Sequence, residues 1–160
     1  MIDIEKNYQS LQSRIQSSLA LTGQEKSGFT IVAVSKKKSL AEIETAYRLG
    51  LSHFGENYVQ EAVQKIKSFH HKATWHFIGS IQSNKAKPIA ENFDWVHTIT
   101  RYSIAEKLDK YRPKSMPPLH VCIQIQLHQD DSRNSLPIKK LPEMATKVEN
   151  LPNLKLRGLM

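Results

Sequence analysis

A single cysteine, Cys122, stands in 160 residues, so no disulfide can form within this chain, and so low a thiol count fits a reducing compartment. Its neighbourhood reads as a strand, which favours a buried, inert thiol over a nucleophile. Apolar runs extend over only a few residues, too short to cross a bilayer as a helix. The N-terminus, MIDIEKNYQS, lacks a basic stretch followed by an apolar one and does not read as a secretory signal. Zinc-ligand spacings, an RNP-like aromatic strand and a helix-turn-helix pattern are also missing. No G-x-G-x-x-G follows the first strand. These absences point to a cytoplasmic globular protein without a membrane span or a metal site.

What is there is ordinary in composition and basic in balance. With 39% hydrophobic and 24% charged residues, the chain is expected to fold as one domain over 1–160 around one core. The net charge of +8 suits a phosphate-bearing partner, whether nucleic acid or a small phosphorylated ligand. The lysines lie in small groups at 36–38, 65–72, 85–87 and 139–140. No nucleic-acid motif accompanies them, which sets the nucleic-acid reading aside.

The most informative stretch is IVAVSKKK at 31–38, a β-branched apolar run that passes straight into three lysines. Strand parity puts Val32, Val34 and Lys36 on one face and Ile31, Ala33 and Ser35 on the other. Lys36 therefore continues the apolar stripe, whereas Lys37 points away. An amine at the rim of an apolar interior loses solvation, which favours its neutral, nucleophilic form. Such an amine forms a Schiff base with an aldehyde. The competing reading is that all three lysines are solvated loop charges.

Along the chain, Ile4, Tyr8, Leu11, Ile15 and Leu19 predict an amphipathic helix over 3–21. Ser39 and Glu42 make a capping box for the next helix, which Gly50 ends. A short strand at 52–54 leads to Asn57 as the cap of a third helix. Strands are expected at 75–78, 94–99, 119–127 and 154–159, with helices at 88–92, 103–111 and 136–148. Six strands alternating with five helices after a leading helix predict an α/β architecture with a parallel sheet, either doubly wound or a barrel. Lys36, Glu56, Asn57, Gly79, Ser80, His97, Thr98, Gln126 and His128 fall at or just past strand C-termini, where both layouts gather their active sites.

On four motifs the chain resembles the YggS/PROSC family of pyridoxal-phosphate-binding homeostasis proteins: AVSKKK at 33–38, FGENYVQE at 54–61, WHFIGSIQSNK at 75–85 and RGLM at 157–160. They span nearly the whole chain in the family's order. The resemblance implies an alanine-racemase-like (β/α)8 TIM barrel with pyridoxal 5′-phosphate (PLP) held as a Schiff base on Lys36. It also implies that Asn57, His76 and Met160 lie at the cofactor. The residues themselves leave other readings open, with Asn57 a helix cap, His76 a hydrogen-bonded core histidine and Met160 plain packing. The family resembles a carrier that holds a reactive aldehyde and delivers it to PLP-dependent apo-enzymes, with no reaction of its own.

The resemblance also has departures. RGLM closes the sixth strand of an eight-stranded barrel, so the domain is expected to be incomplete, truncated before the family's phosphate cradle. Ser80, Gln126, Arg133 and Ser135 depart from residues common in the family. Unpaired strand edges would then favour self-association. A PLP-dependent racemase-like enzyme and a basic fragment that binds no cofactor remain as alternative classes.

Overall fold

The computed structural model describes residues 3–23, 28–126 and 135–160. Its elements in order are α1 (Ile4–Thr22), β1 (Ala33–Val34), α2 (Leu40–Arg48), β2 (His53–Glu56), α3 (Val59–Ser68), β3 (Thr74–Phe77), α4 (Ala86–Asn92), β4 (Trp95–Ile99), α5 (Tyr102–Tyr111), β5 (Leu119–Ile123), β6 (Ile125–Gln126), β7 (Leu136–Pro137), α6 (Leu141–Glu149) and β8 (Leu154–Leu159). Strands β6 and β7 pair only with each other.

The other six strands form one sheet in the order β1-β2-β3-β4-β5-β8, with every pair parallel. Each crossover steps in the same direction. Because parallel crossovers are right-handed, a one-way order puts all the connecting helices on one face. A doubly wound sheet reverses direction partway and carries helices on both faces. The sheet is therefore singly wound, in the manner of a barrel, and among the described residues no connecting helix covers its other, open face.

Alternation sorts the side chains between these faces. Phe54, Trp75, Phe77, Val96, Val121 and Ile123 turn to the helices and join Ile43, Ile89, Phe93, Ile104, Leu108 and Val148 in the buried core. Phe54, Phe69 and Trp75 meet edge-on or tilted, with centroids 5.4–5.8 Å apart. The capping box is present, with Ser39 Oγ accepting from Glu42 N and Glu42 Oε2 accepting from Ser39 N. Arg112, buried, donates to the carbonyls of Ala90, Phe93 and Pro117. Among the described residues no helix is long and apolar enough to cross a membrane.

Four expectations are corrected. Only Ala33 and Val34 of the first apolar run enter the ladder, since β1 has a partner on one side alone and turns after Ser35. Asn57 caps nothing: the residue before α3 is Tyr58, and no side chain caps that helix. The long strand at 119–127 is broken at Gln124 into β5 and β6, although Gln124 N still donates to Ile99 O and Ile125 N to Met160 O. The helix expected at 136–148 begins only at Leu141, after β7 and a turn of 3-10 helix at Ile138–Lys140. Leu127, His128 and Arg133 lie outside the described residues.

Candidate active-site lysine and the histidine row

Register sets the site. Val34 pairs with Gly55 and Gly55 with His76. Just past the C-terminal ends of β1 and β2 lie Lys36, in the turn after Ser35, and Asn57. His76 lies within β3, on the open face.

Lys36 is exposed, and its ammonium has no hydrogen-bond or ion-pair partner among the described residues. The parity argument placed it on the Val32–Val34 face, but that face is the open one, and Val34 is 52% exposed. Burial therefore does not supply the desolvation expected from the sequence. What the fold supplies is a fixed backbone. Ser35 is buried; its N–H donates to Gly55 O at 2.9 Å and its hydroxyl to Glu56 Oε1 at 2.6 Å. Lys37 has φ 59, a left-handed conformation unfavourable for a side-chain-bearing residue. Its N–H donates to Glu61 Oε1 at 2.6 Å, and Lys38 N–H closes the turn on Ser35 O at 3.0 Å.

Behind this turn sits Lys65, on α3. Its ammonium reaches Ser35 O at 2.7 Å, Glu56 Oε1 at 2.8 Å and Glu61 Oε1 at 2.6 Å. The Lys65 ammonium, with help from Lys37 N–H, holds the Glu61 carboxyl below its usual range. Glu56 is fully buried, and its other oxygen has no partner.

Asn57 also has an unpartnered atom, a buried Oδ1. It lines a cleft with Tyr58, Phe77, Ser80 and Lys85. Gly79 closes up on the Asn57 backbone so tightly that a Cβ there would collide with the Asn57 carbonyl oxygen.

The open face carries a row of histidines. His53 Nδ1 meets His76 Nε2 at 2.9 Å, and His76 Nδ1 meets His97 Nε2 at 2.9 Å. Trp95 stacks on His76, His97 and His120, and the Arg157 guanidinium lies over its ring. Burial, reinforced by the neighbouring histidines, pushes His76 down to about 3. Burial lowers His97 as well, and His120 together with Arg157. The nitrogens run in a chain and do not converge, and among the described residues no group of histidine, cysteine or carboxylate side chains is placed to hold a metal. Cys122 is buried, and burial pushes its thiol up, which leaves it inert.

Of the four residues expected at a cofactor, Lys36 and Asn57 thus lie just past neighbouring strand ends. His76 sits within β3 with both ring nitrogens occupied. Met160 follows β8, its backbone exchanging hydrogen bonds with Ile123 O and Ile125 N and its side chain half exposed. The sequence reading missed the support around Lys36. Glu61 and Lys65 stand four residues apart, a helical ion-pair spacing that signals their pairing, but nothing local ties them to Ser35 or Lys37.

A singly wound parallel α/β sheet with a free lysine just past its first strand defines a lysine-bearing protein of the α/β-barrel type. Residues 3–160 match the family model described as "Alanine racemase, N-terminal domain". The chain is 43% identical to the pyridoxal phosphate homeostasis protein of Pasteurella multocida, over 98% of this chain and 69% of that one. It is also 43% identical to that of Escherichia coli, over 100% and 70%. PipY of Synechococcus elongatus, solved with PLP bound, superposes with a TM-score of 0.77 at 33% identity, over 91% of this chain and 68% of that one. Alanine racemase of Clostridium difficile shares the fold, with a TM-score of 0.69 at 11% identity. The chain belongs to the pyridoxal phosphate homeostasis protein family, built on the alanine racemase N-terminal domain.

Proposed function

We propose that this protein binds pyridoxal 5′-phosphate covalently through Lys36 and serves PLP homeostasis in the cytoplasm as a carrier rather than an enzyme, passing the cofactor to PLP-dependent apo-enzymes. The observation that carries the reading is the partnerless Lys36 amine on a fixed turn at the strand end, in a chain whose relatives are named for PLP homeostasis. PLP supplies an aldehyde, with which a neutral lysine amine condenses as water leaves. The residues present fit that group. Lys36 offers a free amine past the end of β1, and Asn57 an unsatisfied carboxamide oxygen past the end of β2. His76 lies on β3 and Met160 just past β8, at the far edge of the sheet from β1.

Support for a carrier comes from the open face itself. A racemase needs two acid/base groups poised on opposite sides of the reacting carbon, whereas here His76 has both ring nitrogens engaged by other histidines.

Titration with PLP followed by borohydride reduction tests the reading. The expected result is a visible absorbance band and a reduced adduct mapped to Lys36, falling about tenfold or more in Lys36→Ala. A band unchanged in that variant, or no band at all, overturns it. Loss of α-deuterium from labelled amino acids in the presence of the PLP-loaded protein would move the assignment to an enzyme.

A further inference from the structure

Seven lysines lie between residues 36 and 85, and the structure treats three of them very differently. An ammonium has three N–H donors. Lys65 uses all three, on Ser35 O, Glu56 Oε1 and Glu61 Oε1, so its nitrogen is fully engaged. Lys38 is paired with Glu42 at 3.1 Å. Lys36 is bonded to nothing, yet the residues on both sides of it are pinned.

These contacts form one device. Glu56, from the end of β2, holds the Ser35 hydroxyl. Glu61, from the first turn of α3, holds the Lys37 N–H. Lys65, one helical turn later, ties both carboxylates together and takes the Ser35 carbonyl. The positive φ of Lys37, the sole one on a non-glycine residue among the described residues, shows what the device must hold. A left-handed residue with a side chain persists only where its surroundings over-determine it. Here the Glu61 hydrogen bond and the Lys38-to-Ser35 turn do so. The turn also separates Lys36 from Lys37, sending two adjacent amines in different directions.

We propose that Glu56, Glu61 and Lys65 act as positioning residues, a clamp behind the 35–38 turn that fixes it and so selects Lys36 over Lys37 and Lys38 as the amine that meets an aldehyde. The proposal rests on the reading of Lys36 as the PLP-bonding residue. It goes beyond that reading by assigning the selectivity to side chains that touch no ligand.

The test uses the full chain and two measurements. The first is hydrogen exchange of the Lys37 and Lys38 amides without cofactor. The second is the distribution of borohydride-fixed PLP among Lys36, Lys37 and Lys38, read by peptide mapping. Glu61 is partly exposed, so replacing it is compatible with folding, and melting curves of each variant confirm this. In Glu61→Ala, Lys37 amide protection falls about tenfold and adduct spreads from Lys36 onto Lys37 and Lys38. Glu61→Gln keeps an acceptor for the Lys37 N–H and largely restores both. Lys65→Met behaves like Glu61→Ala. Wild-type adduct on Lys36 that stays on Lys36 in Glu61→Ala and Lys65→Met overturns the clamp as a positioning device, even if amide protection falls. Wild-type adduct absent from Lys36 overturns the PLP assignment instead, and the amide protection of Glu61→Ala then decides whether the clamp holds the turn.

Discussion

His76 shows how one buried side chain sets a response to pH. Its folded-state value of about 3 lies well below the ordinary 6.5, because burial and the neighbouring histidines oppose a second proton on the ring. The unfolded chain therefore takes up a proton near pH 6.5 that the folded chain refuses. Stability is fully present above 6.5 and declines as pH falls towards 3, by on the order of a kcal/mol per unit from this residue. His97 and His120 are lowered in the same direction and steepen the slope. Urea denaturation at pH 7 and pH 5 should show the loss, and His76→Phe should flatten it. A wild-type stability independent of pH over that interval would refute the account. Lys36 offers the opposite case, since its exposure leaves its chemistry to position and hydrogen-bonded neighbours rather than to burial.

At the scale of elements, helices are held in place by side chains that arrive from elsewhere. Arg112 follows α5, yet it donates to the carbonyls of Ala90 and Phe93 at the end of α4 and of Pro117 in the next loop, at 2.7–2.8 Å. Arg112→Met fills similar space but leaves three carbonyls unsatisfied, and should cost about 3 kcal/mol in denaturant unfolding. A loss below about 1 kcal/mol would show that water replaces the guanidinium. This element-level wiring also marks what the sequence makes legible. Apolar periodicity and the Ser39–Glu42 box located α1 and α2 closely, and strand alternation assigned faces correctly in β5. Alternation reports which face a residue takes, not which strand it pairs with. Val121, Ile123 and Ile125 therefore read as one strand, although β5 ends at Ile123 and Ile125 takes up a new pairing with Leu136 of β7. Asn57 failed as a cap for a related reason: β2 runs through Glu56, and the helix starts a residue later than its best capping side chain. The Lys65 clamp joins residues up to 30 positions apart, and no local pattern encodes such a meeting.

At the scale of the whole molecule, the one-way strand order that identifies the barrel type also determines where the molecule is vulnerable. A singly wound sheet protects its edges only by closing on itself, and among the described residues β1 pairs with β2 alone and β8 with β5 alone in this sheet. Both outer strands expose apolar side chains, with Val34 at 52% and Leu159 and Met160 at 51% each. Unpaired backbone groups beside exposed apolar residues are a template for pairing with another strand, opposed on β8 by the charged Lys155 and Arg157 and just past β1 by Lys36, Lys37 and Lys38. The occupant tested for these 160 residues is a second copy of the same chain. Sedimentation velocity from about 1 to about 100 µM should show a sedimentation coefficient that rises with concentration. Val34→Lys combined with Leu159→Lys should return the protein to a monomer, since charge on both edges opposes strand addition while leaving the helix-side core intact. A wild-type monomer across the whole range, with a single cooperative melt, would mean that the edges are shielded by something other than self-pairing.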